Sequence, residues 1–174
     1  MVIKGLFQSN PVKTTHDEYY TRKTAWSDIQ EYIPRNKVIW ESFMLNSISK
    51  SPIYLQELGF DVEWSASEDI FTQQKREGST IVSNLPFSLK KEVFSHLKNI
   101  DQPFILLAPS TCLHTKYFYE LFKDEKIQLI IPKTKRQFDR YVDGKKVEQK
   151  DNCSFYTLYI CWQIELDQDV ILIK

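Results

Sequence analysis

The sequence predicts an α/β fold, an open and mainly parallel sheet flanked by helices and closed by a C-terminal antiparallel hairpin. Three observations point there. Short apolar runs rich in β-branched and aromatic residues recur along the chain, stretches of helical spacing lie between them, and residues 155 to 166, "FYTLYICWQIEL", alternate strictly as one long final strand. Strand and helix in turn are the pattern of a parallel sheet with its crossovers. With 174 residues the chain suits one good core, which we place over 17–174 behind an extended arm at 1–16.

Each element has its own signal. "TAWSDIQEYI" (24–33) sets Trp26, Ile29 and Ile33 at helical spacing, and Pro34 ends it. "KVIWESF" (37–43) reads as a short buried strand. "SISKSPIYLQELGF" (47–60) places Ile53, Leu55 and Leu58 on a helix stopped by Gly59. "FDVEW" (60–64) and "STIVSN" (79–84) are strands, and "LKKEVFSHLKNI" (89–100) is a helix with Val93, Phe94 and Leu97 inward. "PFILLAPS" (103–110) is apolar throughout, as a strand covered on both faces should be. "TKYFYELF" (115–122) is helical, and "IQLIIP" (127–132) is a strand against which the last strand can pair antiparallel.

Composition excludes several classes. Aromatic residues make up 14% of the chain and hydrophobic residues 42%, which rules out wholesale disorder. Lys plus Arg equals Asp plus Glu at 23 each, so any nucleic-acid surface has to be local. No apolar run is long enough for a membrane helix, so no membrane partner is expected. Cys112, Cys153 and Cys161 lack Cys-x-x-Cys spacing and read as reduced, packed thiols; His16, His96 and His114 fall in no zinc pattern, so no metal is expected. There is no glycine-rich phosphate loop and no Gly-x-Ser-x-Gly elbow.

In open parallel sheets ligands sit beyond the carboxyl ends of the strands, here after Phe43, Trp64, Ser83 and Ala108. The residues around those points, "DEYYTRKTAW", "IWESFMLNSISKSPIYLQELGFDVEW", "EDIF", "IVSNLPFSLKK", "QPFILLAPS" and "IQLIIPKTKRQF", follow a family in order and spacing. The chain resembles the small phage and giant-virus proteins classed as DNA adenine N6-methyltransferases, over roughly 17 to 138 and again in the last strand. The resemblance implies a Rossmann-like class I methyltransferase fold, S-adenosylmethionine as cofactor, and an intracellular setting, cytoplasmic or virus-associated.

Residue by residue, it implies that Asn84, Leu85, Pro86 and Phe87 form the catalytic loop, which the family writes Asn-Pro-Pro-Phe. The exocyclic amine of adenine is a poor nucleophile, because its lone pair is delocalised into the ring. Two acceptors, the Asn84 amide oxygen and the Leu85 carbonyl, would hold its N–H groups, while Phe87 stacks on the flipped base. Leu85 lacks proline's fixed φ, although Pro86 still steers it toward extended backbone. The cofactor side would use Tyr20, Thr21, Glu41, Phe43, Asp69 and Phe71.

The family's glycine-bearing cofactor loop is replaced by Ser42, Phe43, Met44, Leu45, Asn46 and Ser47, and its Thr-Pro turn by Thr21-Arg22. Three separate departures predict reduced or absent catalysis. Residues 132–150 carry seven basic side chains against three acidic, a net of +4. Lys133, Lys135, Arg136, Arg140, Lys145 and Lys146, interleaved with Phe138 and Tyr141, predict a surface for DNA or RNA. The sequence thus leaves three functions in play: a degenerate methyltransferase fold that binds nucleic acid, a protein partner or a second copy of itself, an active adenine methyltransferase, and a structural or assembly protein using exposed aromatics such as Tyr19, Tyr20 and Trp26.

Overall fold

A computed structural model describes residues 19–43, 49–65, 67–142, 145–147 and 155–174, with the side chains of 140–142 and 145–147 outside the description. The expected arm over 1–16 and residues 44–47 of the cofactor loop lie outside the described residues. In chain order the elements are β1 (Tyr19–Thr21), α1 (Lys23–Ser27), β2 (Val38–Glu41), α2 (Ser51–Glu57), β3 (Val62–Trp64), β4 (Ser79–Asn84), α3 (Lys90–Asn99), β5 (Phe104–Pro109), α4 (Lys116–Phe122), β6 (Ile127–Pro132), β7 (Phe138–Val142), β8 (Lys145–Val147), β9 (Thr157–Trp162) and β10 (Val170–Ile173).

Seven strands form the main sheet, in the order β10-β6-β9-β5-β4-β2-β3. All run parallel except β9, which is antiparallel to both β5 and β6. A second sheet, β1-β7-β8, is antiparallel. The expected α/β class, parallel sheet and antiparallel closure are all present.

Each face of the main sheet carries a core. On one face Trp26, Ile29, Ile33 and Leu55 pack onto Ile39, Val82, Ile105, Leu107 and Tyr159. On the other, Phe94, Leu97, Phe118 and Phe122 pack onto Trp40, Ile81, Phe104, Leu106 and Trp162. Burying a large apolar side chain contributes about 1.5–3 kcal/mol, so these two layers dominate folding. Polar groups inside are tied off: Trp26 Nε1 donates to Ser51 Oγ at 3.1 Å, and the Tyr159 hydroxyl donates to the Ala25 carbonyl at 2.5 Å.

Several elements differ from their sequence reading. The helix expected over 24–33 is regular only over Lys23–Ser27 and continues as turns, with Ile29 and Ile33 buried; Trp26, expected among the exposed aromatics, is fully buried, and Tyr19 and Tyr20 are half-buried. α2 is shorter than 47–60, opens with Pro52 in its first turn and stops at Gly59, whose φ of 86° suits a residue without Cβ. Of the apolar residues read onto this helix, Leu55 is buried and Ile53 is exposed. The final strand covers 157–162, and its alternation does not separate an inner from an outer face, because β9 lies between two strands and is buried throughout.

Gln163 and Glu165, both at positive φ, turn the chain out of β9 toward β10, a strand the sequence reading lacked. Gln128, almost fully buried on β6, anchors that connection. Its Nε2 donates to the carbonyls of Leu166 (2.8 Å) and Gln168 (3.0 Å), and its Oε1 accepts from Leu166 N (2.8 Å). Replacing Gln128 by Ala leaves those buried groups unmatched, and we expect urea titration to show a loss of about 1–3 kcal/mol in unfolding free energy. A loss under about 0.5 kcal/mol would show that the clamp is dispensable.

Candidate functional site at the carboxyl ends of β2 and β4

β2 and β4 are hydrogen-bonded neighbours, so their last residues, Glu41 and Asn84, come to the same edge of the sheet. Glu41 is buried and accepts at Oε1 from Phe43 N at 3.2 Å and from the Ser83 hydroxyl. Burial pushes its carboxyl up from the usual 4.5 to about 7, with the bonds from Ser83 and Phe43 pulling only partly the other way. Near neutral pH this group is poised between acid and carboxylate.

Asn84 follows one residue after Ser83. Its Nδ2 donates to the Tyr19 carbonyl at 3.2 Å, and its Oδ1 is buried without a hydrogen-bond partner among the described residues. An unmatched buried acceptor costs roughly 1–3 kcal/mol, so the oxygen is held in place by its surroundings rather than by a bond of its own. It is an acceptor available to an N–H or O–H donor.

The next three residues take different positions. Leu85 N donates to the Leu107 carbonyl at 3.0 Å, which extends the β4–β5 ladder, and its side chain is 1% exposed in the core with Trp40, Phe43 and Ile70. Leucine at this position therefore adds apolar packing that proline could not supply. Pro86, at φ −65° and ψ 112°, turns the chain into a short 3-10 segment over Phe87–Leu89 ahead of α3.

Phe87 lies 8% exposed in an aromatic cluster: Tyr19 stacks on it at 6.4 Å, while Phe155 (4.9 Å) and Phe138 (6.3 Å) meet it edge-on. Its ring faces are engaged by protein. Between this loop and β1 lies a cavity of about 30 Å³, bordered by Tyr20, Thr21, Glu41, Phe43, Asn84 and Phe87 among others. That is room for a water or two.

The remaining sequence-predicted residues are dispersed. Asp69 accepts from Phe71 N at 3.0 Å and caps a 3-10 turn, and Phe71 packs edge-on against His96 at 5.7 Å; neither lines the cavity. Arg22 donates to Asp139 (2.7 Å) and Gln137 (2.6 Å), tying β1 to the entry of β7. A larger hollow of about 360 Å³, bordered by Lys37, Arg76, Gly78 and Glu165, lies at the amino ends of the strands, away from the edge where parallel sheets hold ligands.

Of the expected nucleic-acid residues, Lys133 is exposed, and the Lys135 ammonium sits 4.3 Å over the ring of exposed Tyr156. Arg136 is instead buried, in an ion pair with Asp28 and beside the Tyr159 ring, and Phe138 is buried against Tyr19. Arg140, Lys145 and Lys146 lie on β7 and β8, and their side chains are outside the described residues. Cys112 and Cys161 are free and buried, and burial pushes the Cys161 thiol up to about 12. No group of three His, Cys, Asp or Glu gathers among the described residues, and no described helix is long and apolar enough to cross a membrane.

Three contributors were missed by sequence reasoning. Ser83 adjoins Asn84 and was legible as part of the same strand end. Tyr19 and Phe155 reach the loop only through the second sheet, a long-range contact that periodicity does not report.

The site thus belongs to an open, mainly parallel α/β sheet with one antiparallel strand, β9, between β5 and β6, and a polar loop at the carboxyl ends of its central strands. Among solved structures, the chain is similar to a SAM-dependent O-methyltransferase from Thermotoga maritima, at 8% identity and TM-score 0.40. The match covers 80% of this chain and 64% of that one, under two thirds of its length. It is also similar to a precorrin-6y C5,15-methyltransferase from Geobacter metallireducens GS-15, at 14% identity and TM-score 0.40, covering 83% and 92% of the two chains. No protein-family model matches the sequence, and no curated protein matches it.

The Glu41 carboxyl gives a pH test. Because its folded value is raised above the unfolded one, its contribution to stability is fully present below about 4.5 and is lost as pH rises through about 7. Glu41→Gln, neutral at every pH, removes that dependence. The stability difference between variant and wild type should therefore shift in the variant's favour across this window, and a difference that stays flat with pH would contradict a buried, raised carboxyl.

Proposed function

We propose that this chain is a methyltransferase-like protein of the adenine N6 type whose methyl transfer is reduced or absent and whose present role is to bind nucleic acid. The single observation that carries the first half is the 30 Å³ cavity between Glu41 and Asn84. A site that holds a cofactor or a flipped base is normally of order 300–1,000 Å³, so the described residues leave room for neither. The packed Phe87 supports the same reading, since a ring enclosed by Tyr19, Phe138 and Phe155 has no free face for a base.

Support for nucleic acid comes from the exposed Lys133 and Tyr156 and the half-buried Lys135, cations and a ring on the connection between β6 and β9. Cations hold phosphates, and exposed rings stack bases with little sequence preference. S-adenosylmethionine would fit only if the β1 strap and the Phe87 cluster moved apart.

One observation favours a second reading, an active S-adenosylmethionine-dependent adenine N6-methyltransferase. Asn84 Oδ1 is a buried acceptor without a partner among the described residues, at the end of strand β4 where such an enzyme would hold the target amine. If a bound adenine donated its amine N–H to that oxygen, Glu41 could accept a proton near neutral pH.

Two measurements separate the readings. Titration of single-stranded DNA at several salt concentrations should give a salt-dependent affinity whose log–log slope falls by about 1.4, about 0.7 for each lost phosphate contact, on replacing both Lys133 and Lys135 with Ala. Methyl transfer to adenine-containing DNA should stay at background in wild type and in Asn84→Ala alike. Transfer in wild type that Asn84→Ala abolishes, with the unfolding midpoint retained, would establish the second reading instead.

A further inference from the structure

β10 ends the main sheet, and among the described residues its one ladder neighbour is β6. The Asp169 carbonyl accepts from Leu129 N of β6 at 2.8 Å, and the Ile173 carbonyl from Lys133 N just past the end of β6 at 2.9 Å. By the alternation of a parallel ladder, the backbone N–H and C=O groups of Val170 and Leu172 point to the open side. Their side chains are also uncovered, Val170 at 49% and Leu172 at 77% exposed, next to the half-buried Leu129 and Ile131 to which they are registered on β6.

Edge strands that remain single are ordinarily protected by a lysine, a proline, a bulge or an inward charge. The run Val170-Ile171-Leu172-Ile173 has no such residue. The charges lie at its two ends and differ in sign: Asp167 and Asp169 are exposed at the start, and Lys174 together with Lys133 is exposed at the finish. Asp169 already faces Lys126 at 3.4 Å, in an exposed pair that leaves it open to further cations.

We propose that β10 is a self-association edge, along which two copies of this chain pair antiparallel and join their main sheets into one. A two-fold axis at Ile171 sets Val170 of each copy opposite Leu172 of the other, so that the outward backbone groups of both residues are matched and their exposed side chains cover each other. The same arrangement brings the Lys174 end of each strand beside the Asp167–Asp169 end of its mate. A parallel pairing would set like charges together. The partner is a second copy because the strand is complementary to itself in both backbone pattern and charge.

The test is sedimentation equilibrium of the full chain over a wide concentration range, compared with Leu172→Lys, Leu172→Ser and, as a control on the opposite side of the fold, Ile53→Lys. Leu172 and Ile53 are both exposed, so the fold tolerates the changes, which circular dichroism verifies. We expect a monomer–dimer equilibrium in wild type and Ile53→Lys. Its dissociation constant should rise roughly tenfold or more in Leu172→Lys, and by less in Leu172→Ser. A wild-type protein that stays monomeric throughout, as it would if residues 1–18 covered the edge in cis, overturns the proposal, and so does a dimer that Leu172→Lys leaves intact.

Discussion

The antiparallel insertion of β9 between β5 and β6 is the constraint on which the rest of the molecule depends. β6 runs parallel to β5 and ends at the carboxyl edge, and β9 begins at that same edge, with Thr157 paired to Pro109. The segment joining them therefore has to cross the edge where a parallel sheet binds its ligands. It does so through β7 and β8, which recruit β1 and seat Phe138 and Phe155 on Phe87. The aromatic cover over the loop that follows β4 results from the topology.

That cover leaves the polar groups at the strand ends beside little free space. Glu41 and Asn84 are fixed by strand ends, and strand ends are fixed by the two cores, so the pair persists as long as the sheet does. The free volume depends on the loops. Leu85 packs inward with Phe43, Tyr19 holds Asn84 by its carbonyl, and the ring cluster packs around Phe87. A raised carboxyl and an unmatched amide oxygen line a cavity of about 30 Å³.

The main sheet was legible because its strands are short apolar runs separated by helical spacing and terminated by Pro34, Gly59 and similar breaks. Placement of Asn84 and Glu41 at the carboxyl edge followed from the same pattern. What periodicity could not report is which strands become neighbours. The alternation in 155–166 is that of a strand with one wet face, yet β9 is central and covered on both sides. Arg136 and Phe138 read as surface residues in a basic run, and ion pairing with Asp28 and packing on Tyr19 took them inside. β1 and β10, of three and four residues, are too short to carry a period at all and owe their conformation to their ladders.

The account rests on the claim that the cavity beside Asn84 no longer admits a cofactor, and calorimetric titration of the protein with S-adenosylmethionine and with its demethylated product tests it most directly. Heats indistinguishable from dilution, together with an unchanged unfolding midpoint at excess ligand, are the predicted result. Saturable binding of either compound, lost on Glu41→Ala, would contradict it and show that the strap and the aromatic cluster open to form a working cofactor site.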